Sequence, residues 1–192
     1  MTSPTDPRSD AIKTANNVLL SNPVYLDTET TGLGQKDEIV EIAVVDNQGN
    51  TLIDSFVKPS RPIPADASNI HGITDEMVQK APAWPILWTT QIKPILNNRI
   101  IVAYNSDFDK GMIEQANLRY QIKVREILNF FDLLKLYSLF RGEWDGARRS
   151  YRFFSLDEAG KTSGISLPNA HRAVADTLLA RALLNYIAGE KP

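Results

Sequence analysis

Four acidic residues and one histidine stand in three short stretches of this chain at spacings that could do chemistry. In VYLDTETTGL, Val24 to Leu33, an apolar strand start runs into Asp27 and Glu29. Side chains two apart on a strand share a face, so these carboxylates point the same way. In VAYNSDFDKGMI, residues 102–113, an apolar run ends at Tyr104 and Asp109 follows in the first turn of an expected helix. In NAHRAVADTLLA, residues 169–180, Asp176 lies inside an expected helix, five residues after His171. Each feature has an ordinary explanation alone: a solvated strand end, an acid favoured by the helix macrodipole, a capping histidine. Converging, they need another. Two carboxylates about 5 Å apart at an effective dielectric of about 20 repel by roughly 3 kcal/mol. Four acids in one place therefore call for protonation or for divalent cations. Oxygen ligands select Mg²⁺ or Mn²⁺, and the absence of cysteine speaks against zinc. Two such ions roughly 3.5–4 Å apart are the usual arrangement for phosphodiester hydrolysis.

The elements that must position these residues are legible in outline. Strands are expected over Val24–Thr28, Ile39–Asp46 and Thr51–Lys58, with DNQGN as a hairpin turn between the last two. PSRPIPADASNIHGIT reads as a Pro-rich loop, and a short helix starts at Asp75. Residues 82–97 look helical, with Pro94 expected to kink or end the helix. A strand at Arg99–Tyr104, a helix from about Asp107, a short strand at 127–131 and a helix from Leu133 follow. Asn169 is expected to cap a last helix that stops at Gly189. Three antiparallel strands followed by strand–helix alternation give an α/β fold, a mixed sheet with helices on its faces. Residues 1–15, rich in Ser, Thr, Pro and Asp, are expected to be disordered, although Ala11–Leu20 also has helical character. Residues 16–192 are expected to form a single domain.

Composition excludes some functions. With 21 Lys+Arg against 23 Asp+Glu the formal net charge is −2, so bulk charge does not draw this chain to nucleic acid or membrane. No apolar run is long enough to span a bilayer, and the polar start carries no signal-peptide core. The expected protein is soluble and cytoplasmic.

The three stretches resemble the DEDD superfamily of 3′–5′ exonucleases in its histidine-containing, DEDDh branch, which includes ribonuclease T and oligoribonuclease. The first family motif appears as DTETTG (Asp27–Gly32), the second as NSDFD (Asn105–Asp109), the third as HRAVAD (His171–Asp176), and the HGIT element as His71–Thr74. The likeness runs from about Val24 to Ile187 and is greatest to the proofreading epsilon-type subunits of bacterial DNA polymerase III. It implies a ribonuclease H-like fold, a mixed five-stranded sheet flanked by helices. It implies that Asp27, Glu29, Asp109 and Asp176 hold two Mg²⁺ or Mn²⁺ ions. His171 would act as general base on the attacking water, and nucleoside 5′-monophosphates would leave from the 3′ end of single-stranded DNA.

Further assignments follow the same alignment. Thr30, Gly32, Leu33, His71 and Phe108 are the expected substrate contacts; for Phe108 core packing, and for His71 a structural role in its loop, are equal alternatives. Glu41 is expected to support the site without holding metal, and the Phe before Asp109 favours it over Asp107. Many epsilon-type members carry His where this chain has Tyr104. The segment 141–154 interleaves Arg141, Arg148, Arg149 and Arg152 with Trp144, Tyr151, Phe153 and Phe154. It is either a single-strand track, arginines on phosphates and aromatics on bases, or a loop with its aromatics tucked in. The chain ends soon after the third motif, which gives no support for a polymerase contact, while a homodimer stays open. Two other functions remain: a catalytically silent nucleic-acid or protein-binding module on the same fold, and an RNA-specific exonuclease.

Overall fold

In the computed structural model, which describes residues 6–165 and 172–190, the chain forms a five-stranded mixed sheet with helices on both faces. The strands are β1 (Val24–Thr30), β2 (Ile39–Asp46), β3 (Thr51–Phe56), β4 (Ile100–Ala103) and β5 (Asn129–Asp132), in the order β3-β2-β1-β4-β5. β1 and β3 run antiparallel to β2, while β4 runs parallel to both β1 and β5. β1 and β2 are buried along nearly their whole length, which explains their Val- and Ile-rich sequences. The fold class expected from the sequence is the one observed.

Alternation along β1 divides the core. Val24 and Leu26 pack on one face against Trp84, Trp88 and Ile113, whereas Tyr25 packs on the other with Leu133, Leu183 and Ile187. By the same period of two, Asp27 and Glu29 lie on the Tyr25 side and Thr28 on the opposite side. The Tyr25 face is covered by α1 (Pro7–Leu20), α7 (Leu133–Arg141) and α9 (Ala173–Ala188). The other face is covered by α6 (Ser106–Arg119) and a helical run from Trp84 to Leu96.

Several elements differ from expectation. Helix α1 begins at Pro7, inside the segment expected to be disordered. Asp6 caps it by accepting from the Arg8 N–H, Pro7 occupies its first turn, and Ala11, Ala15 and Val18 are buried along one side. The Pro-rich loop contains α2 (Ala65–His71), closed by Gly72, ahead of α3 (Asp75–Val78). At Pro94, where a kink or an end was expected, the helical run continues through an irregular turn: a π-helical turn over Trp88–Ile92 joins α4 (Trp84–Leu87) to α5 (Lys93–Leu96), with the proline in the first turn of α5. Residues 144–145 (β6) and 150–151 (β7) pair as a small hairpin where a loop was expected, and α8 (Leu156–Thr162) follows it. α9 ends at Gly189, whose φ of 92° favours glycine. The expected cap Asn169 lies outside the described residues. Among the described residues no helix is long and apolar enough to cross a membrane.

Candidate active site

Three carboxylates meet beside the sheet. Asp27 and Glu29 come from the end of β1, and Asp176 from the first turn of α9, which lies across that face. One oxygen from each falls within 4.8 Å of the others, and all three side chains are partly buried. Asp109, at the start of α6, stands beside this trio. It is buried, and its Oδ1 accepts a 2.7 Å hydrogen bond from Thr28 Oγ1, on the opposite face of β1 from Asp27. The sheet brings these segments together because β4, which leads into α6, is hydrogen-bonded to β1 in parallel. The reversal from β4 into α6 is made by Asn105, whose φ of 66° is the left-handed conformation that Asn tolerates better than most residues.

Crowding is visible in the proton affinities. Burial pushes the Asp27 carboxyl well above its ordinary range, and the charges of Asp109, Asp176, Glu29 and Glu41 push it further. Burial likewise raises Glu29 to about 7, with Asp176, Glu41 and Asp109 adding and Arg172 opposing. Asp109 is raised to about 7 by burial, against the lowering effect of the Thr28 hydrogen bond. A set of hard oxygen donors that resists ionising together fits divalent cations, whose charge would restore the ionised forms.

Glu41 sits directly opposite Glu29 across the β1–β2 ladder and is almost fully buried. Its Oε1 accepts from Arg172 Nη2 at 2.6 Å and from Nε at 3.1 Å, and its Oε2 from the Ala173 backbone N–H at 3.0 Å. Glu41 therefore secures the start of α9 with both oxygens in use. Arg172 was not singled out from sequence, although it directly follows His171; its partner is 131 residues away. His171 lies outside the described residues. Asp107 is exposed and paired with Lys135 at 2.9 Å, whereas Asp109 is buried.

The expected substrate residues divide. Leu33 is 86% exposed at the tip of the turn that follows β1. Gly32 lies in that turn, where an added Cβ would come 2.7 Å from Asp37 Oδ2. Thr30 is buried and its Oγ1 donates to the Gly32 carbonyl at 2.8 Å. Phe108 packs partly against the core on the α6 side. His71 is buried with both ring nitrogens engaged: Nδ1 accepts from the Ile73 N–H at 3.0 Å, and Nε2 lies 3.2 Å from the Thr30 carbonyl. The ring thus braces the end of β1 against the corner between α2 and α3. Its burial lowers its proton affinity, in keeping with a neutral ring that keeps its proton on Nε2.

In the β6–β7 hairpin Arg148 and Arg149 are exposed, as are Trp144 (62%) and Phe153 (51%). Arg152 is occupied otherwise, by Glu158 at 2.8 Å, by Glu143 and by the Phe154 ring. Phe154 itself is buried, and its carbonyl accepts from Tyr104 OH at 2.8 Å. Tyr104 thus ties the base of the hairpin to the end of β4.

Comparison with known proteins gives one consistent result. The family model described as Exonuclease (RNase T) matches residues 24–184. An uncharacterized exonuclease, CP81, of Escherichia phage 186 is 36% identical over 180 residues, covering 91% of this chain and 92% of its own. The DNA polymerase III subunit epsilon of Buchnera aphidicola is 28% identical over 174 residues, covering 85% of this chain and 71% of its own. Among solved structures, exonuclease X in complex with 5′-overhanging duplex DNA superposes with a TM-score of 0.64 at 28% identity, covering 86% of this chain and 90% of that one.

Proposed function

The chain belongs to the family of DEDD 3′–5′ exonucleases, hydrolases of phosphodiester bonds, and from that premise we propose that it removes nucleotides from the 3′ end of single-stranded DNA. The observation that carries the reading is the meeting of Asp27, Glu29 and Asp176 within 4.8 Å, with Asp109 beside them. A silent binding module gains nothing from tolerating that repulsion. DNA is favoured over RNA because the relatives named above include a DNA polymerase subunit and an exonuclease solved with DNA.

Asp27, Glu29 and Asp176, with Asp109, would hold two Mg²⁺ or Mn²⁺ ions. When bound, the ions supply a lowered water pKa and neutralise charge building on the scissile phosphate. Glu41 and Arg172 hold the start of α9 so that Asp176 faces β1. His171 takes the proton of the attacking water, a task suited to a side chain that titrates near neutrality. The leaving group is the 3′ oxygen of the shortened strand, and the product is a nucleoside 5′-monophosphate. Gly32 and Leu33, on the turn after β1, meet the terminal nucleotide, with Thr30 and His71 supporting that turn from beneath. Phe108 completes the pocket wall. The exposed Arg148 and Arg149, with Trp144, contact the strand further from its end; Arg152, held by two carboxylates, supports the hairpin instead.

The test is digestion of 5′-labelled single-stranded DNA and RNA oligomers in parallel, with Mg²⁺ or Mn²⁺ and with EDTA. DNA shortening stepwise from its 3′ end, abolished by EDTA, is expected. Faster loss of RNA would move the substrate to RNA, and no loss of either would return the fold to a binding role.

A further inference from the structure

The turn between β1 and β2, residues 31–38, is gripped from within and from outside. Within it, the Asp37 carboxylate accepts from Thr31 Oγ1 at 2.9 Å and from the Gly34 N–H at 2.7 Å. Thr31 and Glu38 close its neck, the Thr31 N–H donating to the Glu38 carbonyl at 2.8 Å and the Glu38 N–H to Thr31 Oγ1 at 2.9 Å. From outside, α6 holds it through two side chains one helical turn apart. Gln115 Nε2 donates to the Asp37 carbonyl at 2.6 Å and to the Gly34 carbonyl at 3.3 Å. Arg119 Nη2 donates to the Lys36 carbonyl at 2.7 Å, and Arg119 Nη1 forms an ion pair with Glu38 Oε1 at 2.7 Å. Glu38 is buried and also accepts from Ser60 Oγ at 2.7 Å and from the Ser60 N–H at 3.1 Å.

The same helix carries Asp109 at its start, bonded to Thr28 of β1. One rigid element therefore fastens both a carboxylate of the reacting centre and the turn that displays Gly32 and the exposed Leu33. Loops following a strand are ordinarily the mobile part of a site. Here the carbonyls of residues 34, 36 and 37 all find donors on α6. A fixed distance between the carboxylates and the turn is what seating a terminal nucleotide for in-line attack demands.

We propose that Gln115 and Arg119 are positioning residues that set the register of the nucleotide-binding turn against the carboxylate centre. The proposal rests on the exonuclease reading above. Both contacts require a donor on the helix, because the turn offers only carbonyls and the Glu38 carboxylate. The chemistry of the substitution therefore matters more than its size. Gln115→Ala removes the donor, Gln115→Glu sets a carboxylate against the carbonyls, and Gln115→Lys restores a donor.

The experiment measures KM and kcat on a single-stranded oligonucleotide, dTMP affinity in the presence of Mn²⁺, Mn²⁺ affinity alone, and Tm for the wild type, these three variants and Arg119→Gln. Gln115→Ala is expected to weaken dTMP and lower kcat/KM about 5–10-fold, the worth of one or two hydrogen bonds, with a raised KM, some loss of kcat and Mn²⁺ affinity near wild type. Gln115→Glu is expected to be worse, and Gln115→Lys to recover most of the loss. Arg119→Gln is expected to raise KM likewise, at some cost in Tm. Wild-type KM and dTMP affinity in Gln115→Ala and Gln115→Glu, in an enzyme whose wild type is active, would overturn the proposal. So would equal loss of Mn²⁺ affinity and dTMP affinity, the mark of a general structural role. A wild type that neither digests DNA nor binds dTMP would instead overturn the exonuclease reading, and this inference with it.

Discussion

Thr28 Oγ1 donates to Asp109 Oδ1 at 2.7 Å, and this bond joins the strand that carries Asp27 and Glu29 to the helix that carries Asp109. Thr28 points away from the three-carboxylate cluster, yet it keeps the fourth acid turned towards β1. Thr28→Val retains the branched shape and removes the side-chain donor to a buried carboxylate, which keeps only backbone donors. A loss of about 1–3 kcal/mol in urea unfolding is expected, together with a fall in kcat, while Thr28→Ser stays close to wild type. Equal stability in the valine variant would show that the bond contributes nothing.

Glu41 and Arg172 make a comparable link from β2 to α9. Arg172→Ala leaves Glu41 buried with only the Ala173 N–H. Arg172 is itself well exposed, so the loss is discounted for solvent screening to about 1–2 kcal/mol. Glu41→Gln in the same background should recover part of that stability by removing the uncompensated charge; a double-mutant cycle of denaturation curves measures it.

The raised Glu29 carboxyl gives the metal-free protein a distinct pH dependence. Its proton affinity in the folded state corresponds to about 7, above the ordinary value of 4.5, so the folded state binds more protons than the unfolded one between these values. Stability from this group is fully present below pH 4.5 and is lost as pH rises through 7. Asp27 and Asp109 are shifted in the same direction. Calorimetry in EDTA should therefore give a Tm lower at pH 8 than at pH 5 by about 3 °C or more. Added Mn²⁺ should raise Tm more at pH 8, where it does not compete with protons. A Mn²⁺ effect that is larger at pH 5 would contradict this account.

The hairpin makes a prediction about salt. Replacing Arg148 and Arg149 together by Ala should weaken single-strand binding and lower the slope of log K against log salt by about 1 or more, since each phosphate contact adds roughly 0.7. Arg152→Ala should lower Tm and leave that slope near wild type, because its partners are Glu143 and Glu158. An unchanged slope in the double variant would remove the hairpin from the substrate path.

The sequence made some of this legible and hid the rest for physical reasons. The i, i+2 acids of β1 were readable because strand geometry leaves two neighbours on one face little freedom. The sheet could be outlined because buried strands need Val and Ile in runs. The grip of Glu41 on Arg172 joins residues 131 apart, and nothing local in either segment announces it. Thr28 was hidden because a threonine within a strand is ordinary. The start of helix α1 was obscured by a polar composition whose Asp6–Pro7 start signal matters more than its average, and α2 by the prolines before it. His71 was open in sequence between a substrate contact and a structural role in its loop, because only the fold shows that both its nitrogens engage backbone groups.

The measurement that bears most directly on the central claim is a comparison of Asp27→Asn with the wild type in three readouts: digestion of single-stranded DNA, Tm in EDTA at pH 8, and the Tm increase caused by Mn²⁺. If the carboxylates form a metal-dependent catalytic centre, the variant has no measurable turnover. It is more stable than the wild type without metal, because a carboxyl crowded by Asp109, Asp176 and Glu29 is gone. It also loses most of the Mn²⁺ response. Retained digestion with an undiminished Mn²⁺ response would place the reacting centre elsewhere on the molecule.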